Sequence, residues 1–251
     1  MIVEINNREI KVPFDEKFLT KIKNRVDQLI AEVDPKEHSL DENFKSFLLS
    51  AILFRFNEVG KRDLKILENT LHEMREVILM FSRHKDKAKI SVFGSARTPE
   101  GHPLFNLASK FAELAVKSGF MIITGAGPGI MKAGNVGAGP RNSFGLGLKL
   151  PFENSNPVFA ANPDNLTNFK YFFTRKLSFF NESDAIAALP GGYGTMDELF
   201  QGMTLIQTGK IKIVPIVLLE EEGGTFWRGW EDNIIQNFVK PGYISHYDMA
   251  L

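Results

Sequence analysis

The chain has 251 residues, 43% of them hydrophobic and 24% charged, enough for one large domain or for a domain with an appendage. Thirty basic residues balance thirty acidic ones, so no global field favours nucleic acid or an anionic membrane, and any anion site must be local. The absence of cysteine excludes disulfides, thiolate metal sites and thiol nucleophiles together, and fits a reducing, cytoplasmic setting.

The N-terminus, Met1-Ile2-Val3-Glu4, has no basic region leading into an apolar run, so no signal peptide is expected. No apolar stretch approaches the ~20 residues that span a bilayer. Residues 2–5 and 8–12 flank Asn6-Asn7 as a small hairpin would, because Asn tolerates positive φ. Phe14, Phe18, Ile22, Val26 and Ile30 then recur as one face of a helix. Two more helices are expected over about 41–59 and 63–81, with Gly60 between them as a C-cap.

A polar stretch, Arg83-His84-Lys85-Asp86-Lys87, leads into a different texture. The apolar runs 90–93, 121–123, 185–189 and 213–218 read as buried parallel strands. Helical segments over about 104–118, 131–137, 176–181, 196–208 and 227–239 lie between and after them. The expected organisation is a hairpin plus helical extension over 1–85 and an α/β, Rossmann-like doubly wound parallel sheet over 86–251. Such a sheet takes its ligand at the carboxyl ends of the strands.

Three of those ends carry small residues: Phe93-Gly94-Ser95-Ala96-Arg97, Thr124-Gly125-Ala126-Gly127-Pro128-Gly129, and Leu189-Pro190-Gly191-Gly192-Tyr193-Gly194-Thr195. Each is a strand-to-helix turn, where open backbone amides and the helix dipole favour an anion. The second loop is spaced G-x-G-x-G, with Ile130 next, so it is not a dinucleotide fingerprint. No Lys-Ser/Thr pair makes a Walker loop either. Taken singly each loop could be a tight turn, but three at successive strand ends point to phosphate binding.

Pro190 to Glu198, P-G-G-Y-G-T-M-D-E, resembles the P-G-G-x-G-T-x-x-E motif of the Lonely Guy (LOG) family, with Arg175-Lys176 upstream as that family's R-K pair. Gly125 to Met131 and Phe93-Gly94-Ser95 also resemble its loops, and the likeness covers about residues 88 to 248. These proteins, once labelled lysine decarboxylases, are regarded as nucleoside-monophosphate phosphoribohydrolases. The resemblance implies hydrolysis of an N-glycosidic bond, releasing base and ribose 5-phosphate, by a homodimer acting on an AMP-like nucleotide. It implies Arg175 and Glu198 as the catalytic pair. It implies substrate contacts at Gly94, Ser95, Gly127, Gly129, Glu153, Lys176, Gly191, Gly192, Tyr193, Gly194, Thr195 and Thr204. No cofactor and no metal is called for. The cytokinin-activating branch has Met-His shortly before its Arg, whereas Phe172-Phe173-Thr174 stand here, so the plant-type base preference does not carry over.

The chemistry suits those residue types. Cleavage passes through an oxocarbenium-like sugar, which a carboxylate stabilises while activating water, and a guanidinium can grip phosphate in a bidentate way. Plainer readings stand beside these. Thr195-Met196-Asp197-Glu198 is also a capping box, T-x-x-E, worth about 1 kcal/mol at a helix N-terminus. Arg175-Lys176 could be a solvated basic turn, and Glu153 a surface carboxylate. Phe169, Phe172, Phe173, Phe179 and Phe180 read as core or dimer contact before they read as a base-stacking platform. His38, His72, His84, His102 and His246 show no metal-ligand spacing. A decarboxylase would need a lysine Schiff base with pyridoxal phosphate, and nothing marks Lys176 for that. The alternative function is a non-catalytic nucleotide sensor or carrier with residues 1–85 as its output surface; the intact Arg175 and Glu198 favour the enzyme.

Overall fold

A computed structural model of the chain describes residues 2–5, 8–11, 14–33, 42–54, 56, 59–148, 157–245 and 248. It divides into two compact units, Met1–Glu68 and Asn69–Leu251.

In the first unit, β1 (Ile2–Ile5) and β2 (Arg8–Lys11) pair antiparallel, with Ile5 opposite Arg8. The Asn6-Asn7 turn lies outside the described residues. Helices α1 (Glu16–Val33) and α2 (Glu42–Phe54) pack through Leu19, Val26, Leu49 and Leu53. Val26 of the apolar stripe is buried in this core, Phe14, Ile22 and Ile30 pack against it partly buried, and Phe18 stays 41% exposed. Gly60 does not cap α2, which ends at Phe54. Its carbonyl instead accepts from the amides of Asp63 and Leu64, starting α3 (Lys61–Ser82).

The second unit is α/β and doubly wound. Six parallel strands stand in the order β6-β5-β4-β3-β7-β8. They are β3 (Lys89–Phe93), β4 (Met121–Thr124), β5 (Ser143–Leu148), β6 (Leu166–Phe169), β7 (Ala185–Ala188) and β8 (Ile216–Leu218). The helices are α4 (Pro103–Lys117), α5 (Ile130–Ala138), α6 (Phe172–Glu182), α7 (Tyr193–Gln207) and α8 (Phe226–Ile234), the last running into a π-helical turn, Ile235–Val239. Strands β5 and β6 were not expected from the sequence. In β5, Ser143-Phe144-Gly145-Leu146-Gly147-Leu148, glycine breaks the apolar run. A side chain on Gly145 would stand 2.7 Å from Phe159 and Leu166, so tight packing asks for the glycine that hides the strand.

Side-chain alternation feeds two cores. Ile90 and Val92 of β3 and Ile122 of β4 point to α4 and α5, packing on Ala108, Ala112 and Ala133. Phe93, Met121 and Ile123 point to the other face, against Val77, Met80 and Phe81 of α3, Phe179 of α6 and Ile206 of α7. Every residue of β3 and β4 is buried, as a sheet covered on both faces requires. Burying each such Ile or Phe contributes about 1.5–3 kcal/mol. From β3 the chain steps outward through β4, β5 and β6, then crosses back to β7 on the opposite side of β3. The order reverses between β3 and β7, and a crevice opens at the carboxyl ends of those two strands.

Among the described residues, no helix is long and apolar enough to cross a membrane.

Candidate functional site

The reversal brings the three glycine loops together, and they bond to one another first. The Ser95 amide donates to the Pro190 carbonyl (3.1 Å), and the Ser95 carbonyl accepts from the Ile130 amide (3.0 Å). The Arg97 amide donates to Ser95 Oγ (3.1 Å). Gly129 has φ +66°, a left-handed conformation, and a Cβ there would press on Ser95 and Ala96. A side chain on Gly94 would come within 2.6 Å of Ile130. Gly94 and Gly129 are therefore explained by packing of loop on loop.

The third loop differs. Helix α7 starts at Tyr193 with Gly192 as its N-cap, three residues ahead of the start expected at Met196. Thr195 sits inside the first turn, and no side chain caps the helix. The capping-box reading of Thr195 and Glu198 is thereby overturned. The first helical bond outside the regular ladder runs from the Met196 amide to the Gly192 carbonyl (3.1 Å), so the amides of Tyr193, Gly194 and Thr195 precede it as open donors. A Cβ on Gly192 or Gly194 would meet nothing within 4 Å, and neither has positive φ. Packing does not require these two glycines; bare backbone facing open space admits a ligand.

That space is a cavity of about 880 Å³. Of the residues singled out from the sequence, it is lined by Gly94, Ser95, Arg175, Gly191, Gly192, Tyr193, Gly194, Thr195 and Glu198. Gly127 and Gly129 are buried behind it, Thr204 is exposed farther along α7, and none of the three lines it. Glu153 lies outside the described residues. Arg97, Gly125, Met131, Phe172 and Asp197 line the cavity as well. Arg97 and Gly125 belong to the first and second glycine loops, and the sequence alone does not mark them for the site. The aromatic stripe splits: Phe169, Phe179 and Phe180 are core, while Phe172 and Phe173 are 56% and 52% exposed.

Arg175 is clamped. Its Nε donates to the Leu146 carbonyl (2.7 Å) and its Nη2 to the Gly125 carbonyl (3.3 Å). Its guanidinium lies 5.4 Å from the centre of the Phe179 ring. A Cβ on Gly125 would fall on Nη2, so that glycine makes room for the arginine. The start of α6 is itself held from α3. Buried Glu73 accepts the Lys170 amide at Oε1 (2.7 Å) and the Thr174 hydroxyl at Oε2 (2.5 Å), placing a carboxylate where the helix dipole favours one.

Glu198 is 7% exposed, and its Oε2 has no hydrogen-bond partner. Burial raises its pKa above the ordinary 4.5; Lys176 and Arg175 pull it down, and Asp197 adds to the rise. Lys176 does not line the cavity. Its ammonium lies 2.6 Å from Asp197 Oδ2 and 3.7 Å from Glu198 Oε2, so it acts as counter-ion to both. A buried carboxylate with an unsatisfied oxygen, a fixed guanidinium and an open helix N-terminus share one cavity. That set can hold an anion and activate a water beside it. The histidines do other work: His102 Nδ1 accepts the Leu104 amide at the start of α4, and His72 pairs with Glu76 at 3.0 Å. His38 and His246 lie outside the described residues.

Residues 129–251 match the family model described as possible lysine decarboxylase. A stretch of 71 residues, 28% of this chain, is 49% identical to cytokinin riboside 5'-monophosphate phosphoribohydrolase LOG1 of Arabidopsis thaliana, covering 32% of that protein. A stretch of the same length is 47% identical to probable cytokinin riboside 5'-monophosphate phosphoribohydrolase LOGL3 of Oryza sativa subsp. japonica, with the same coverage. The matched stretch thus spans about a third of the length of these relatives. Among solved structures, a molybdenum cofactor binding protein from the phototrophic bacterium Rippkaea orientalis is 22% identical, with a TM-score of 0.43, over 61% of this chain and 87% of that one.

Proposed function

We propose, from the match of residues 129–251 to that family model and the likeness to LOG phosphoribohydrolases, that the chain hydrolyses the N-glycosidic bond of a nucleoside 5'-monophosphate. The relatives' names carry that reaction class. The observation that supports it on this chain is Glu198, a buried carboxylate with an unpartnered oxygen, lining the cavity at whose rim α7 begins. In this reading the phosphate sits on the first-turn amides of α7. The C1'–N bond breaks as a water oxygen bonds to C1'. Glu198 takes the water's proton, and the departing base ends with one proton gained. Arg175, fixed by two carbonyls, orients the sugar between phosphate and carboxylate.

A raised pKa suits Glu198 to the role of base, since a weaker carboxylic acid has a more basic conjugate. The decarboxylase description finds less support. Among the described residues no lysine lines the cavity, and Lys176 is engaged by two carboxylates.

The reading includes a homodimer in the cytoplasm, acting on an AMP-like nucleotide without nucleic acid or membrane. Phe172, Phe173 and Leu177 of α6, each about half exposed, supply apolar surface for a second copy. Sedimentation at micromolar concentration tests that part. For the reaction, the protein is incubated with AMP, GMP, CMP, UMP and IMP while free base is measured. Release of base that vanishes in Glu198→Ala is expected. Tight nucleotide binding without turnover would replace the enzyme with a sensor or carrier.

A further inference from the structure

Resting on that reading, we infer that Arg97 is the cation that grips the substrate's phosphate, opposite the open amides of α7, and that it sets the preference for nucleotides over nucleosides.

A phosphate near −2 seated on backbone amides alone lacks a full positive charge, so the nearby cations decide what binds. Two are already matched. Lys176 faces Asp197 and Glu198, and Arg175 stands in the field of Glu198 while donating to two carbonyls. These two positive and two negative groups cancel. Arg97 is the guanidinium left over: it lines the same cavity, is exposed, and forms no ion pair among the described residues.

Its backbone is fixed where a phosphate clamp needs it. The Arg97 amide donates to Ser95 Oγ (3.1 Å), and Ser95 is tied through its own amide to Pro190, two residues before the N-cap of α7. The loop bearing Arg97 is therefore fastened to the loop bearing the amides. The site has a second mark of ligand chemistry in the unpartnered Oε2 of Glu198 on the same cavity. A guanidinium at the rim with a carboxylate at the wall fits a ligand with its anion at one end and its reacting carbon at the other.

The test pairs turnover with binding. Wild type, Arg97→Gln and Arg97→Lys are assayed with AMP and with adenosine, and each is titrated with ribose 5-phosphate by calorimetry. In Arg97→Gln, KM for AMP and Kd for ribose 5-phosphate are expected to rise about tenfold or more, the scale of one lost charge-assisted contact. The ratio of kcat/KM for AMP to that for adenosine falls with them, and Arg97→Lys recovers part of the loss. Arg97 is exposed, so thermal melting should leave both variants folded. Values within twofold of wild type overturn the role of Arg97 while leaving the glycosidase reading in place. Absence of turnover on every nucleotide overturns that reading instead, and the ribose 5-phosphate titration then still decides Arg97. Failure of wild type to bind ribose 5-phosphate at millimolar concentration overturns the role of Arg97 and leaves the glycosidase reading to the turnover assay.

Discussion

The ammonium of Lys176 lies 3.7 Å from Glu198 Oε2, a buried oxygen that no hydrogen bond reaches. Burial pushes the carboxyl's pKa up and Lys176 pulls it down, so the two residues together set the pH at which Glu198 becomes a base. Activity requires its deprotonated form, so kcat/KM is expected to rise with pH through a value above the ordinary 4.5 of a glutamate. Lys176→Met removes the opposing charge and moves that acid limb to higher pH. A limb unmoved in the variant would mean that Glu198 is not the group titrating.

Stability carries the same signature with the sign reversed. The fold raises the pKa of Glu198, so the folded state holds its proton more tightly than the unfolded chain. The cost of the charged form is absent below the unfolded value, near 4.5, and fully present above the folded one. Glu198→Gln is therefore expected to melt higher than wild type at pH 7. About 2–4 °C corresponds to each kcal/mol in a chain of this size. The gap should close by pH 4, as paired thermal melts would read.

The glycines of the third loop separate by role. A Cβ on Gly191 would strike Thr195 Oγ1 and stand 2.9 Å from the Ser95 amide nitrogen, so Gly191→Ala should cost about 1–3 kcal/mol. Gly194→Ala meets open space and gains up to about 1 kcal/mol of helix propensity, yet its methyl would stand at the anion seat. Urea melts should show the first variant weakened and the second intact, with ribose 5-phosphate binding reduced in the second. A Gly194→Ala protein that binds as wild type does would remove the phosphate from that helix end.

Glu73 tests whether α3 supports the site. Glu73→Ala leaves the Lys170 amide without its acceptor and the Thr174 hydroxyl with only the Tyr171 carbonyl (3.0 Å), a loss of about 1–3 kcal/mol. Because Lys170 leads into α6 and Thr174 stands in its first turn directly before Arg175, kcat should fall along with stability. A drop in stability with kcat unchanged would make Glu73 a strut for the fold alone.

Much of this was legible in the chain. Strands β3, β4 and β7 announce themselves because they are covered on both faces and therefore largely apolar. Strand β5 does not, since Gly145 and Gly147 yield space to neighbours visible only once β6 is beside it. The residues from Gly191 to Glu198 point to the cavity through their motif, but the local pattern at Thr195 imitates a cap, and only tertiary placement shows that Gly192 begins the helix. Arg97 follows Ser95 by two residues in the first loop. A lone arginine in a turn looks like solvated surface until neighbouring charges are seen to cancel. Lys176 reads as a ligand in sequence and stands as a counter-ion in space, because its partners lie across the fold on α7.

Ser95 joins all three strand ends by two backbone bonds, one to Pro190 and one from Ile130. Those bonds form with the fold, so the frame is set before any ligand arrives. The entropy of ordering these turns is settled during folding and is not deducted from affinity at each encounter. A substitution that loosened this knot would show itself as faster amide exchange at residues 95 and 130 together, with weaker binding, although neither residue's amide had ever touched the ligand.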